Sequence, residues 1–226
     1  MARRLLGVAG ELLVTLGALL LLFVVWQLWW TDVVANRQAA QVVERLREDF
    51  ADDTGSTAAG GDGVAPVGLP SGAFALLHVP RFGDGWVRPV LDGTDREVLA
   101  SGVGHYDGTA GPGEVGNFAV AGHRTTWGRP FHDIDRLRAG DRVLVETADH
   151  VYVYAVTGHE VVPPTEVDVV AAVPGDPGAA PERAVLTMTS CHPRYSAAER
   201  YVVHAELLDT LDPADLDPAL SAATEG

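Results

Sequence analysis

Lysine is missing altogether from this 226-residue chain, and cysteine occurs once. All 16 basic side chains are arginine, set against 31 acidic ones, and the formal net charge is −15. Such a chain lacks the basic face that counterion release from a phosphate backbone requires, which excludes nucleic acid as a partner. The balance fits a soluble domain working outside the cytoplasm. One thiol cannot close an intrachain disulfide. Cys191 is therefore an intermolecular partner, a buried spectator or a reactive nucleophile. There is no Cys-x-x-Cys and no His-x-x-x-His pair near Cys191, which sets a structural zinc site aside. Acidic residues abound, Asp133 and Asp135 among them, yet no loop carries the regular oxygen-ligand pattern of an EF-hand. Neither a metal nor an organic cofactor is expected.

Charge is also missing from residues 12–30, and extending back to residue 5 adds only Glu11. At about 1.5 Å per residue, roughly 19–26 helical residues reach about 28–39 Å, enough for a hydrocarbon core of about 30 Å. Residues 5–30 are thus expected to form one transmembrane signal-anchor helix. Trp26, Trp29 and Trp30 mark its outer boundary, and residues 1–4, with Arg3 and Arg4, stay in the cytoplasm. A cleaved signal peptide would need a shorter apolar region and a better small-residue site than Val33-Val34-Ala35. Residues 31–71 read as a stalk followed by a flexible linker. Val42, Val43, Leu46 and Phe50 recur there at helical spacing, and residues 54–71 are rich in Gly, Ala and Asp. Residues 72–209 form the globular domain, and residues 210–226 read as an acidic, disordered tail.

Within that domain, alternating or apolar runs at 73–78, 86–91, 117–121, 142–147, 151–162, 183–190 and 200–208 read as strands between Gly, Pro and Asp turns. Only 95–101 and 166–172 look like short helices. The pattern specifies a mainly β fold, a closed barrel or a sandwich, and periodicity does not choose between them. No internal repeat is present.

The chemistry gathers at strand ends. The run Ala184-Val185-Leu186-Thr187-Met188-Thr189-Ser190 delivers Cys191; Asn117-Phe118-Ala119-Val120-Ala121-Gly122 delivers His123; and Arg200 opens the next run. A thiol, an imidazole and a fixed guanidinium are the parts of an acyl-transfer site: nucleophile, proton carrier and oxyanion partner. Arg200 has a structural alternative, an ion pair with Glu199 or Glu206. Of the eight histidines, His78, His132, His150 and His159 read as ordinary surface groups. His192 would point to the face opposite Cys191 if the strand continues.

These segments carry a resemblance. Thr187-Met188-Thr189-Ser190-Cys191 is similar to the Thr-Leu-x-Thr-Cys signature of sortases, the membrane-anchored cysteine transpeptidases of Gram-positive bacteria, and Arg200 falls where their arginine falls. Gly104-His105-Tyr106 and Pro112-Gly113-Glu114-x-Gly116-Asn117, leading into Ala121-Gly122-His123-Arg124-Thr125-Thr126, resemble the segment bearing the sortase histidine. The stretch from Cys191-His192-Pro193-Arg194-Tyr195-Ser196 to His204-Ala205 most resembles the class E group of actinobacteria. Met188 and Ser190 depart from the signature while conserving the kind of side chain.

The resemblance implies an eight-stranded barrel with short helices and a site of Cys191, His123 and Arg200, with Tyr106, Thr189 and Ser190 contacting substrate. It implies cleavage of a Leu-Ala-x-Thr-Gly-type sorting signal between Thr and Gly through a thioacyl enzyme. Its partners would be secreted proteins bearing C-terminal sorting signals, the amine of a peptidoglycan precursor (lipid II) and the membrane. Another cysteine acyl-transfer enzyme is the rival. In papain-like enzymes the cysteine precedes the histidine, whereas His123 precedes Cys191 by 68 residues, and the caspase Gln-Ala-Cys-x-Gly motif is absent. L,D-transpeptidases carry a Gly-Cys-Arg-like motif that Ser190-Cys191-His192 does not match. A non-catalytic, membrane-tethered β-domain is the third possibility.

Overall fold

The computed structural model describes residues 2–53 and 72–224, so the expected linker at 54–71 lies outside the described residues. A long helix, α1 (Ala2–Asp53), precedes eight strands: β1 (Ala73–His78), β2 (Val87–Asp92), β3 (Val103–His105), β4 (Gly116–Ala121), β5 (Arg142–Glu146), β6 (Val151–Val162), β7 (Ala184–His192) and β8 (Glu199–Leu211). They close into a barrel in the order β1-β2-β3-β4-β7-β8-β6-β5. The pairs β2/β3 and β4/β7 are parallel and the others antiparallel. The barrel alternative is therefore the correct one. Closure also removes the open edges that a sandwich of short strands would expose.

Seven strands fall where alternation and turn signals put them. The eighth, β3, spans three residues, Val-Gly-His, too few to show a period. Helix α2 (Arg96–Ser101) starts at Asp95, whose carboxylate accepts from the Glu97 and Val98 N–H groups at 2.8 and 3.0 Å. The expected helix at 166–172 is reduced to a 3-10 turn, Asp168–Val170. Inward-facing Leu77, Val90, Val103, Phe118, Val120, Val145, Leu186, Met188 and Val203 fill the barrel. Tyr154 is buried among them, and burial pushes its phenol up to about 12. Its hydroxyl remains satisfied by accepting from the Gly113 N–H at 2.7 Å.

Three further sequence expectations change. The tail at 210–226 is ordered through residue 224: β8 runs to Leu211, and α3 (Leu216–Thr224) follows. Leu216, Ala219, Leu220 and Ala223 fall on one helical face and pack on Leu144, Val151 and Val153. Pro218 sits in the first turn of α3, where an N–H has no helical partner to lose. His78 is buried rather than a surface group, and its Nε2 meets Glu146 Oε2 at 2.8 Å. The stalk, finally, does not stand off the domain.

Helix α1 is long and apolar enough to cross a membrane, and Leu12, Leu16, Leu19, Phe23 and Trp26 are exposed along it. Beyond that segment Ala35, Ala39, Val42, Val43 and Leu46 are buried, the last two packing with Phe50 against Ala73, Leu76 and Val87. Burying a Val or Leu side chain is worth about 1.5–3 kcal/mol, partly offset by the entropy of ordering the helix. A protein starting at residue 72 should therefore be less stable than one starting at residue 31 by about 2–4 kcal/mol. For a chain of this size that lowers the melting temperature by roughly 5–15 °C. Thermal denaturation of the two fragments checks this, and equal melting temperatures would show that the docked helix contributes nothing.

Candidate active site

Register brings the three chemical residues together. Strands β4 and β7 pair in parallel with one unbroken register, ending at Ala121 beside Thr189. The Gly122 N–H continues it by donating to the Thr189 carbonyl at 3.1 Å. His123 follows two residues past the last pair, at the end of β4 next to β7, and the residue after it, Arg124, donates to the Cys191 carbonyl at 3.4 Å. On the other side β7 pairs with β8 antiparallel, and Cys191 lies directly opposite Arg200. Thiol and guanidinium thus occupy paired positions on β7 and β8, and the imidazole follows the adjoining end of β4.

Alternation decides which face they share. Phe118, Val120, Leu186, Met188, Tyr201 and Val203 belong to the barrel core. Their neighbours in sequence, Ala119 and Ala121 on one strand, Thr189 and Cys191 on the next, Arg200 and Val202 on the third, face outward. The site is thus a cleft on the outer wall. Val202 does not pack the barrel interior; it lies outside it with Val162 and Val169, beneath the 168–170 turn. His192, on the inward register, meets Tyr201 and accepts at Nδ1 from Arg124 Nη1 at 3.1 Å.

His123 is half-buried, and its Nε2 has no hydrogen-bond partner among the described residues. Burial pushes its pKa below the ordinary 6.5, which favours the neutral imidazole. Close packing secures the approach. A Cβ on Gly122 would stand 2.6 Å from the Phe131 ring, so only glycine lets Phe131 lie over the strand end. Cys191 is a free, half-buried thiol. Arg200 has no carboxylate partner among the described residues; its Nη1 donates to the Ala197 and Glu199 carbonyls at 3.1 and 3.0 Å. Glu206, the rival partner considered from sequence, pairs with Arg183 instead.

The expected substrate contacts divide. Tyr106 Oη and Thr189 Oγ1 share a hydrogen bond of 2.9 Å, so Tyr106 is fixed on the same outward face as Cys191. Beyond Tyr106 a groove of about 340 Å³ runs between the 106–117 segment and the turn at 167–172, lined by Thr109, Asn117, Val167, Val170 and Ala171. Thr189 is buried. Ser190, expected to touch substrate, is inward-facing and buried, and its hydroxyl donates to the Gly122 carbonyl at 2.7 Å. It joins β7 to the residue before His123 instead.

A charge network behind the cleft went unread in the sequence. Arg124 is 2% exposed. It meets Asp135 Oδ2 at 2.8 Å, donates to the Cys191 carbonyl at 3.4 Å and lies 5.4 Å over the Tyr201 ring. Arg194, in the β7–β8 connection, meets Asp135 at 3.0 Å. Burial alone would raise the Asp135 pKa, but Arg124 and Arg194 more than offset it and hold the carboxyl below its usual range. The network ties three strand ends together, and Asp133 and Asp135 both pair with arginine guanidinium groups. Among the described residues no cluster of three or more His, Cys, Asp or Glu could hold a metal. Only the polar run after His123 hinted at this; nothing local links Asp135 or Arg194 to the cleft.

Known proteins share this fold. A sortase-domain family model matches residues 77–208. Sortase SrtE2 of Streptomyces coelicolor is 38% identical over 218 residues, covering 92% of this chain and 84% of the relative. The solved sortase E of Streptomyces avermitilis is 43% identical with a TM-score of 0.57, covering 62% of this chain and 91% of its own. The Sortase E1 of Streptomyces coelicolor solved with a tripeptide in the active site is 34% identical with a TM-score of 0.58, covering 64% and 93%.

The buried imidazole generates a pH prediction. His123 should titrate with a midpoint below 6.5 when followed by NMR of the folded protein. Because the folded pKa is depressed, the unfolded chain binds more protons at this residue between the two midpoints. This residue then makes stability rise as pH climbs through that window, and the contribution is complete above 6.5. His123→Ala should flatten that part of the profile. A midpoint at or above 6.5 would contradict the burial.

Proposed function

We propose that this chain, which belongs to the sortase family and so to the cysteine transpeptidases, is a class E-type enzyme whose site is Cys191, His123 and Arg200. The observation that supports this reading is the register, which pairs Cys191 with Arg200 and ends β4 against β7 two residues before His123. The substrate is an extended Leu-Ala-x-Thr-Gly-type peptide at the carboxyl end of a secreted protein. The groove beside Tyr106 would hold the peptide's amino-terminal part, with the Thr–Gly bond over Cys191.

Burial of His123 favours the neutral imidazole in the resting site. His123 takes the Cys191 proton as Sγ attacks the threonine carbonyl carbon. Arg200 donates to the oxyanion that forms, a role its planar fork suits better than an ammonium. His123 returns the proton to the glycine nitrogen; the C–N bond breaks and a thioester remains. An acceptor amine then attacks that carbon and gives a proton to His123. The C–S bond breaks, an amide forms, and the thiol is restored. The acceptor is the amine of a peptidoglycan precursor, lipid II. The apolar part of α1 spans the membrane once, with residues 1–4 inside and the barrel outside.

Mass spectrometry of the protein with a Leu-Ala-x-Thr-Gly peptide and an amine acceptor tests the reading through the ligated product. Cys191→Ala should abolish both cleavage and ligation. His123→Ala should cost about 10²–10⁴-fold, and Arg200→Lys on the order of 10²-fold, since charge without the fork does not replace an oxyanion donor. Turnover in the Cys191 variant would end the thiol mechanism.

Specificity rests on Tyr106. Its ring, pinned by the Thr189 hydroxyl, should favour compact alanine over proline at the second position of the signal by roughly 10–200-fold. Tyr106→Ala should narrow that ratio while leaving alkylation of Cys191 unchanged. An undiminished ratio in the variant would remove Tyr106 from the pocket.

A further inference from the structure

The turn that follows His123 does not rest on the barrel alone. Residues 124–131 leave the strand end, reverse and return, so that the Phe131 N–H donates to the His123 carbonyl at 3.0 Å. At its tip Trp127, Gly128 and Arg129 have φ values of 54°, 74° and 49°. Glycine adopts that region freely. Tryptophan and arginine persist there only when their surroundings hold them.

The holding element is α1, just past its apolar segment. Asp32 Oδ1 accepts from the Gly128 N–H at 3.1 Å, and Oδ2 meets Arg129 Nε at 3.0 Å. A Cβ on Gly128 would stand 3.0 Å from Asn36 Oδ1 and 3.5 Å from the Ala35 Cβ, so turn and helix are in direct contact. Asn36 Oδ1 also accepts from Arg88 Nη2 at 2.9 Å, fixing this stretch of helix to β2. The Asp32 side chain is 18% exposed, which shields its charge-assisted bonds from water.

We propose that Asp32 is a positioning residue for His123, acting through the Trp127–Arg129 turn, so that the helix anchoring the chain also sets the geometry of the proton-transfer group. The proposal rests on the reading of His123 given above. One carboxylate serves two donors on consecutive residues of a strained turn, and the ends of that turn meet at His123. Without it the turn relaxes, the Phe131-to-His123 bond loosens, and the imidazole moves from its place beside Cys191. The groove at Tyr106, Val167 and Val170 belongs to other elements, so peptide binding is spared. The site is complete only while the helix is docked.

The test uses the full chain in detergent micelles, with kinetics expressed per titratable Cys191 thiol. Asp32→Ala should lower kcat about 10–100-fold, as a small misplacement of a reacting group does, with KM for the peptide within about twofold of wild type. Asp32→Asn keeps an oxygen for the Gly128 N–H and should recover most of the rate. The His123 imidazole resonance should shift in the alanine variant and stay close to wild type in the asparagine variant. Full kcat per thiol in Asp32→Ala, or a loss shared equally between kcat and KM, would overturn the proposal. A wild-type chain that ligates no peptide would instead defeat the transpeptidase reading. The resonance then decides alone: a shift in Asp32→Ala upholds the coupling to His123 and no shift overturns it.

Discussion

The parallel pairing of β4 with β7 is the constraint on which the rest of the molecule depends, because it fixes which residue stands beside Cys191. Side chains alternate with a period of two, so a slip of one residue would turn His123 and Cys191 to opposite faces. Several contacts hold the register. The Gly122 N–H and carbonyl are both bonded to β7, to the Thr189 carbonyl and the Ser190 hydroxyl. Phe131 closes over Gly122 at a distance no other residue would allow. The antiparallel pairing with β8 then sets Arg200 across from the thiol.

From that register follows a division of labour between the two faces of the wall. Inward, Leu186, Met188, Tyr201 and Val203 join the core and make the wall rigid. Outward, Ala119, Ala121 and Thr189 are small and themselves buried, and the open groove lies to one side, between Tyr106 and the turn at 167–172. Partial burial of His123 favours its neutral form. Behind it the Arg124–Asp135–Arg194 network braces the strand ends with charges that are already paired. Among the described residues Arg200, paired across from the thiol, has no carboxylate partner and donates to backbone carbonyls alone.

Much of this was legible because it is local. The strands that build the site are long, alternating or apolar, and bounded by Gly and Pro, and the three chemical residues lie at their ends. What was not legible depends on distant partners. Three-residue β3 exists only because β2 and β4 flank it. The apolar period of α3 was obscured by Asp and Pro, and becomes meaningful only against the outer face of β5 and β6. His78 reads as a surface residue until Glu146 is brought beside it. Ser190 looks like part of a signature exposed to substrate, yet alternation next to an outward Cys191 turns it inward. The docking of residues 35–46 on the barrel was foreshadowed only by spacing, which predicts a helix but not what it packs against.

The central claim is that one thiol, set by register beside His123, carries the acyl group. Intact-mass measurement of the protein mixed with a Leu-Ala-x-Thr-Gly peptide in the absence of any added amine, followed by peptide mapping, addresses it directly. A thioester adduct corresponding to the peptide truncated after threonine, located on Cys191 and discharged by adding an amine, is the expected result. Product formation with no adduct on Cys191, or an adduct on any other residue, would contradict it.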